Sequence, residues 1–588
     1  MCGIIGYVGQ KNAPDVLLQG MRKLEYRGYD SAGMAVVGGR ALSVMKDVGK
    51  VDEIHSRHDF LSLRANAGIA HTRWATHGGV TQANAHPHVS SDGAIAVVHN
   101  GIVENFRELR AFLQSQGFRF YSETDTETIP KLIEHGIRQG LGFVQATEDA
   151  LRRIEGRYAV VAMNKDGTVI AARNGSPLVV GVGDGEYFAA SDIPAFMDYT
   201  KRVVYLHDND FVVVGRNGLI MNNLKTGPVE RPIDTIEWDA QRAEKGDFQH
   251  YMLKEISEQA ETLAKAVKQD EGTMKRLVDD IQNAKHVVLV AAGTAYHACI
   301  SGRYVISRIA KKHVASVRAS EFENILHMID RDTLVLAVSQ SGETADTLEA
   351  VKMAKTSGAR VVSIVNVAGS TLHRESAYAL LTNAGPEIGV ASTKAYTAQL
   401  GVLTLLAYAL QGNTEEGRRT LEVTRNQAYN LTAASMRANI RTLADVLKGK
   451  EHIFTLGRQL EYGTAKEAAL KIKEVSYIHV EALQAGELKH GTIALIEKGT
   501  PCIAFFSEAN RRETLSNAQE VRARGAYVIG VGAETDPVFD FFIKVPEVGL
   551  CNPILQIIPM QILAYQLAVL RGKDPDRPRN LAKSVTVK

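Results

Sequence analysis

Apolar and polar positions alternate in short runs over the first 230 residues, and glycine-bearing turns separate the runs. Runs at 31–37, 68–71, 94–99, 158–164, 168–173, 178–182 and 211–216 predict strands, with hairpin turns at 164–167 and 183–185. Apolar spacing of three and four residues predicts helices at 13–24, 105–116 and 126–139. Strands and helices mixed in this order imply an α+β domain of packed sheets.

The pattern changes near residue 231. Strand alternation disappears over 231–250, charge is mixed, and a helical stretch at 248–277 breaks at 270–272. Beyond it the strands are continuous apolar runs, the mark of parallel strands buried on both faces. Strands at 286–292, 314–319, 334–338, 361–365 and 378–381 are interleaved with helices at 295–310 and 344–356. The order recurs with strands at 453–456, 502–506, 527–532 and 541–545 and helices at 461–472 and 511–524. One α/β unit is therefore used twice. The expected organisation is a first domain at 2–230, a connector at 231–247, repeats at 248–430 and 431–572, and a tail at 573–588.

Composition narrows the partners. A chain of 588 residues exceeds a single core, and 68 Lys plus Arg against 66 Asp plus Glu argues against nucleic acid. Cys2, Cys299, Cys502 and Cys551 lie far apart, with neither metal-ligand nor disulfide-framework spacing, so a reducing compartment is expected. No signal peptide precedes the first strand, and the apolar stretches 287–292 and 400–410 are too short to span a bilayer. A cytoplasmic enzyme without membrane association follows.

Candidate chemistry starts at Met1-Cys2-Gly3. Removal of Met1 would leave one residue carrying a thiol to attack an acyl carbon and an α-amine, of pKa about 8, to move the proton. The alternative is a small packing residue opening an edge strand at 2–8. Arg73 and Asp125 could pair with the carboxylate and ammonium of an amino acid, and Asn100 with the Gly101 N–H could stabilise an oxyanion. Asp125 could instead cap the helix that follows, and Asn100-Gly101 could be a plain turn. His71, His77, His86, His88 and His99 lack a carboxylate or cysteine at ligand spacing, so no metal is expected. In the first repeat, Ser339-Gln340-Ser341-Gly342-Glu343-Thr344 joins a strand end to a helix start. Three hydroxyls and a glycine there could cradle a phosphate, or could simply cap the helix. No Gly-x-x-x-x-Gly-Lys-Ser/Thr loop is present, which argues against a nucleoside triphosphate.

Cys2-Gly3-Ile4, residues 27–33 and 73–78, Asn100-Gly101 and 124–127 together resemble a class II, N-terminal nucleophile glutamine amidotransferase domain. The resemblance implies Cys2 as nucleophile with its α-amine as base, Asn100 and Gly101 as oxyanion hole, and Arg73, Trp74, Thr76, His77, Gly101 and Asp125 around glutamine. Arg27 would support the site, and Trp74 would gate the exit of ammonia. The repeats resemble sugar isomerase (SIS) domains, and the whole chain is similar to the family of isomerizing glutamine–fructose-6-phosphate aminotransferases. Residues 390–394, 469–474, 486–491 and 578–587 carry that similarity.

By this resemblance the substrates are L-glutamine and D-fructose 6-phosphate, no cofactor is needed, and a homodimer is expected. His490 would open the sugar ring, Lys583 would form a Schiff base, and Glu474 would move the C1/C2 proton near Lys471 and Glu467. Thr294, Ser339, Gln340, Ser341, Thr344, Val390, Ala391 and Ala582 would hold the sugar phosphate. Ala295 stands where the family commonly has serine, removing one possible contact. The alternatives are an SIS-type phosphosugar isomerase, or a sugar-phosphate-binding regulator, with an uncoupled glutaminase domain. Intact Cys2, Glu474, His490 and Lys583 argue against the regulator, and isomerisation with no glutamine consumption would identify the isomerase.

Overall fold

The computed structural model describes residues 2–39, 41–215, 218–236 and 245–586. The readings on Met1 removal, on connector residues 237–244 and on Val587 of the tail lie outside the described residues. The chain divides into two compact units, Met1–Gln241 with Ser584–Lys588, and Arg242–Lys583.

In the first unit an eight-stranded and a seven-stranded sheet, both antiparallel, are described. Strand β1 (Gly3–Val8) lies inside the larger sheet, between β2 (Ala67–Arg73) and Tyr187–Ala190, not at an edge. Its alternation explains why: Ile4 and Val8 enter the core between the sheets, while Ile5 and Tyr7 enter the core that helix α1 (Ala13–Leu24) covers. Strand β3 (Ile95–Gly101) of the smaller sheet repeats the arrangement, Ala96 and Val98 facing inward and Ile95 and Val97 facing the helices. Both faces of both sheets are thus covered, which gives the expected α+β layering of helices outside and packed sheets inside. Within the connector, Asp234–Thr235 adds a short strand to the larger sheet beside Arg202–Tyr205.

The second unit holds two parallel sheets of five strands. The first contains β4 (His286–Ala291), β5 (Ala315–Arg318), β6 (Thr333–Ser339), β7 (Arg360–Val365) and β8 (Ala379–Leu381) in spatial order β5-β4-β6-β7-β8. The second contains β9 (His452–Gly457), β10 (His479–Gln484), β11 (Pro501–Phe505), β12 (Tyr527–Gly532) and β13 (Phe541–Lys544) in the matching order β10-β9-β11-β12-β13. Each repeat therefore has its switch point, where neighbouring connections leave in opposite directions, between its first and third strands. One apolar core runs through both repeats, with Ala298, Leu403, Ala469 and Leu563 among its members.

The longest apolar helix was not among the stretches singled out in the sequence. Gly549–Leu570 is long and apolar enough to cross a membrane by length and composition, yet 83% of that window is buried inside the protein. Two of its polar side chains are hydrogen-bonded there: Gln556 Nε2 donates to the Phe506 carbonyl at 2.9 Å, and Gln561 accepts from Gln259 at 2.7 Å. It is a core helix.

Candidate active site

Gly3 exists for closeness. A Cβ on it would stand 2.5 Å from Thr72 Oγ1 and 2.7 Å from Leu24 Cβ, so only glycine lets β1 bring Cys2 against the end of β2. There the Trp74 N–H donates to Cys2 Sγ at 3.2 Å, and Asn100 Nδ2 donates to the Cys2 carbonyl at 2.9 Å. Burial is the largest influence on the Cys2 thiol and pushes its pKa up; the Trp74 N–H and the Arg73 guanidinium act the other way. Arg27, almost fully buried, donates to the Cys2 carbonyl at 3.4 Å and pairs with Asp192 at 2.9 Å. It braces the terminus rather than presenting a charge to a ligand.

Asn100 and Gly101 end strand β3 and do not form a turn. Gly101 has φ of 132°, and a Cβ there would meet the Arg157 carbonyl at 2.0 Å. The Asn100 amide is oriented from behind by His71. His71 Nε2 lies 3.0 Å from Asn100 Oδ1 and 3.1 Å from the His99 carbonyl, two acceptors, so Nε2 carries the proton. Burial holds His71 neutral, its pKa pushed down to about 3, and holds His86 and His88 neutral as well. His71 stacks on His86 at 4.1 Å, and no group of side chains arranged to hold a metal ion occurs among the described residues.

Arg73 donates to the carbonyls of His77 at 2.6 Å, Gly78 at 3.2 Å and Gly79 at 3.1 Å. It forms no ion pair among the described residues, although the charges of Asp30 and Asp125 act on it, so a cation is held in place with its charge uncompensated by direct contact. Asp125 accepts from the Val103 N–H at 2.7 Å and does not cap the following helix, which starts at Thr128–Arg138. Thr76 is exposed, and the His77 ring meets the Phe106 edge at 5.6 Å.

In the second unit, helix α2 (Gly293–Ala310) follows β4 and helix α3 (Ala345–Thr356) follows β6, which puts Thr294 and the 339–344 loop at the first repeat's switch point. Ser339 Oγ accepts from the Gly342 N–H at 3.0 Å and Ser341 Oγ from the Glu343 N–H at 3.2 Å. Thr344 is the N-cap residue of α3 but makes no side-chain cap, and Gly342 has φ of 68°. The serines thus shape the loop just ahead of a helix start, the kind of place that suits an anion.

Helix α5 carries the ionisable cluster, with α4 (Lys394–Leu410) preceding it in the core and α5 spanning Leu460–Ser476. Lys471 is fully buried, 3.4 Å from Glu467 and 2.5 Å from Glu474, and it donates to Thr294 Oγ1 at 3.0 Å. A surface salt bridge is therefore excluded. Burial raises the Glu474 pKa more than Lys471 lowers it, while the two carboxylates outweigh burial and raise that of Lys471. His297 reaches Glu467 Oε2 at 2.8 Å.

Lys583, in the tail, donates to Glu387 Oε2 at 2.6 Å and to the Gly389 carbonyl at 2.8 Å, with 5% of its side chain exposed. Burial works against ionised Glu387, but Lys583 and the N–H groups of Ala395 and Thr393 hold its pKa down. The neighbouring Glu255 is pushed up, chiefly by burial. Val390 and Ala391 are buried in the same segment, and Val390 N–H donates to the Asp576 carbonyl at 3.0 Å. Gln340 and Ala582 are partly buried, and Ala295 is buried in the apolar core. His490 is exposed at the end of the turn Ala485–His490 and hydrogen-bonds to none of Glu467, Lys471 and Glu474 among the described residues. The sequence weighs His71 only as a metal ligand, and nothing in it singles out His297, Glu255 or Glu387.

Residues 71–198 match the glutamine amidotransferase domain family, and residues 280–409 and 446–571 match the SIS domain family. The chain is 44% identical over 601 aligned positions to the isomerizing glutamine–fructose-6-phosphate aminotransferase of Thermococcus kodakarensis, with 100% of both chains covered. It is 46% identical over 605 positions to that of Thermus thermophilus, again over 100% of both. The chain belongs to the isomerizing glutamine–fructose-6-phosphate aminotransferase family. Among solved structures, the C-terminal domain of the Francisella tularensis glucosamine-fructose-6-phosphate aminotransferase is similar at 36% identity and TM-score 0.52, covering 57% of this chain and 100% of that one. Both SIS matches of this family member fall on the parallel sheets, and the amidotransferase match falls on the antiparallel ones.

Proposed function

We propose that the chain transfers the amide nitrogen of L-glutamine to D-fructose 6-phosphate and isomerises the product to D-glucosamine 6-phosphate, releasing L-glutamate at the first step of hexosamine synthesis. The Cys2 thiol, freed of its proton by its own α-amine after Met1 removal, attacks the glutamine amide. Asn100 and the Gly101 N–H receive the oxyanion, and Arg73 with Asp125 clamps the amino-acid head beside Thr76 and His77. Ammonia leaves, with Trp74 as gate, and water releases glutamate.

In the SIS half the phosphate rests on Ser339, Gln340, Ser341 and Thr344, with Thr294, Val390, Ala391 and Ala582 around the sugar. His490 opens the ring. The Lys583 amine, after passing its proton to Glu387, adds to the C2 ketone and expels water; ammonia then displaces Lys583. Glu474 takes the C1 proton and returns it at C2, with Lys471 facing the negative charge that develops between them and Glu467 steadying Lys471. We assign domain limits of 2–230, 248–430 and 431–572 about a connector and a tail, and read the enzyme as a cytoplasmic homodimer. The exposure of His490 supports a loop that serves a neighbouring subunit.

One observation carries the reading: a tail lysine, nearly excluded from water, is held 2.6 Å from a buried carboxylate in the same segment as Val390 and Ala391. Borohydride reduction in the presence of fructose 6-phosphate should fix the sugar on the peptide bearing Lys583, seen by mass analysis. An adduct on any other lysine, or none, defeats the assignment. Cys2→Ala should abolish synthesis driven by glutamine.

A further inference from the structure

The switch point of the second repeat lies at the carboxyl ends of β9 and β11, matching the place of Thr294 and the 339–344 loop in the first. A cavity of about 120 Å³ opens there. Its polar lining includes Glu461, Ser507, Asn510 and Glu547, with Tyr304 and Arg308 contributed by α2 of the first repeat. Glu461 is 1% exposed. Its Oε2 accepts from Asn510 Nδ2 at 2.5 Å, whereas its buried Oε1 has no hydrogen-bond partner. The Ser507 hydroxyl lies close enough to favour the carboxylate, but it makes no bond of ordinary geometry to Oε1. A buried carboxylate oxygen without a donor is costly unless something supplies one.

The chemistry around Glu461 selects the donor. Glu547 adds a second negative charge whose effect reaches Glu461, and its own oxygens accept from the N–H groups of Glu508 at 3.2 Å and Gly549 at 3.1 Å. Arg308 is turned to Gln459 Oε1 at 2.9 Å. A phosphate would set its dianion against two carboxylates, and the serine-glycine loop that suits an anion in the first repeat has no counterpart here. A neutral sugar would leave the acidic pair uncompensated. Leu460, Ala509 and Leu550 supply apolar wall suited to the C–H face of a ring.

We propose that this cavity is a second ligand site, taking a protonated primary amine on a small hydroxylated skeleton, an unphosphorylated amino sugar, with the ammonium donating to Glu461 Oε1. The test uses the full-length protein and D-glucosamine as probe, followed by calorimetric titration with saturating fructose 6-phosphate present to occupy the first repeat. Saturable binding in the millimolar range is expected, with D-glucose at least about tenfold weaker. Glu461→Gln should weaken binding about tenfold or more, and Ala509→Phe, built on an exposed residue at the mouth, should block it without disturbing the core. Both variants should keep the wild-type KM for fructose 6-phosphate. No saturable binding, equal binding of glucose, or binding indifferent to both substitutions would overturn the proposal.

Discussion

The two SIS repeats share a backbone and divide the chemistry. Two residues beyond the first strand, Gly293 has φ of 54° and Gln459 has φ of 50°, so the turn takes a positive φ at the same place in both. Only the first repeat gives that turn to glycine and follows its third strand with a hydroxyl-lined loop. In the second, Asn510, Glu461 and Glu547 fill the corresponding place. The second repeat's first helix serves the first repeat instead: Glu467 accepts from Thr294 Oγ1 at 3.0 Å, and Lys471 donates to the same hydroxyl at 3.0 Å. Sheet order fixes where a ligand can sit, and the side chains on the loops decide which ligand it is.

Breaking the shared cluster should have the largest effect. Lys471→Met leaves Glu467 and Glu474 buried without their cation, a loss of about 3–5 kcal/mol in stability. Denaturant melts should show that loss, and glucosamine 6-phosphate formation should vanish while glutamine hydrolysis continues. Retained synthesis would mean that the helix serves structure alone. A matched pair of serine substitutions comes next. In the proposed scheme Ser339→Ala removes a charge-assisted contact to phosphate worth about 1.5–3 kcal/mol, so the KM for fructose 6-phosphate should rise roughly 10- to 100-fold. Ser507→Ala, after the third strand of the other repeat, should leave that KM unchanged; an equal rise for both would erase the distinction between the repeats.

The sequence made this division only partly legible. Strands buried on both faces, such as β6 and β12, stand out as apolar runs. Strand β10 does not, because it forms the edge of its sheet and its apolar run is interrupted by His479, Glu481 and Gln484. Helix α4 is buried almost all round and so has no apolar stripe to show its period. The Lys471–Glu474 pair could be read from helical spacing, but its burial could not. Glu387 was invisible because it meets Lys583 across 196 residues of chain, and a lone glutamate carries no sign of so distant a partner.

The pH dependence should separate the repeats again. As the proposed acceptor of a carbon-bound proton Glu474 must be ionised, and burial holds its pKa above the usual carboxyl value of 4.5. The acid limb of kcat should therefore lie above pH 4.5, activity rising with pH through it. Folding responds with the opposite sign. The native state holds this proton more tightly than the unfolded chain, so the group's contribution to stability declines as pH rises from 4.5 through the raised pKa. Glu461 is raised as well, also mainly by burial, but it touches no reacting atom in the proposed scheme. A pH profile of Glu461→Gln should keep the acid limb in place; a displaced limb would give Glu461 a share in catalysis.

The smallest effect should come from the turn itself. Gln459 holds a left-handed φ with ψ of −116°, a conformation that costs a residue bearing a Cβ about 1–3 kcal/mol. Glycine would relieve that strain but lose more backbone entropy on folding, by about 0.5–1 kcal/mol. Gln459→Gly should therefore stabilise the protein by about 1 kcal/mol in denaturant melts, whereas Gly293→Ala, at φ of 54°, should destabilise it by a similar amount. The relief also removes the Gln459 side chain, whose Oε1 accepts from Arg308 at 2.9 Å. That contact bridges the two repeats at an exposed position and is worth little, so the backbone term should win. A destabilised Gln459→Gly variant would show that the strained turn is held by the glutamine side chain, and that the second repeat keeps it for a contact the first repeat does without.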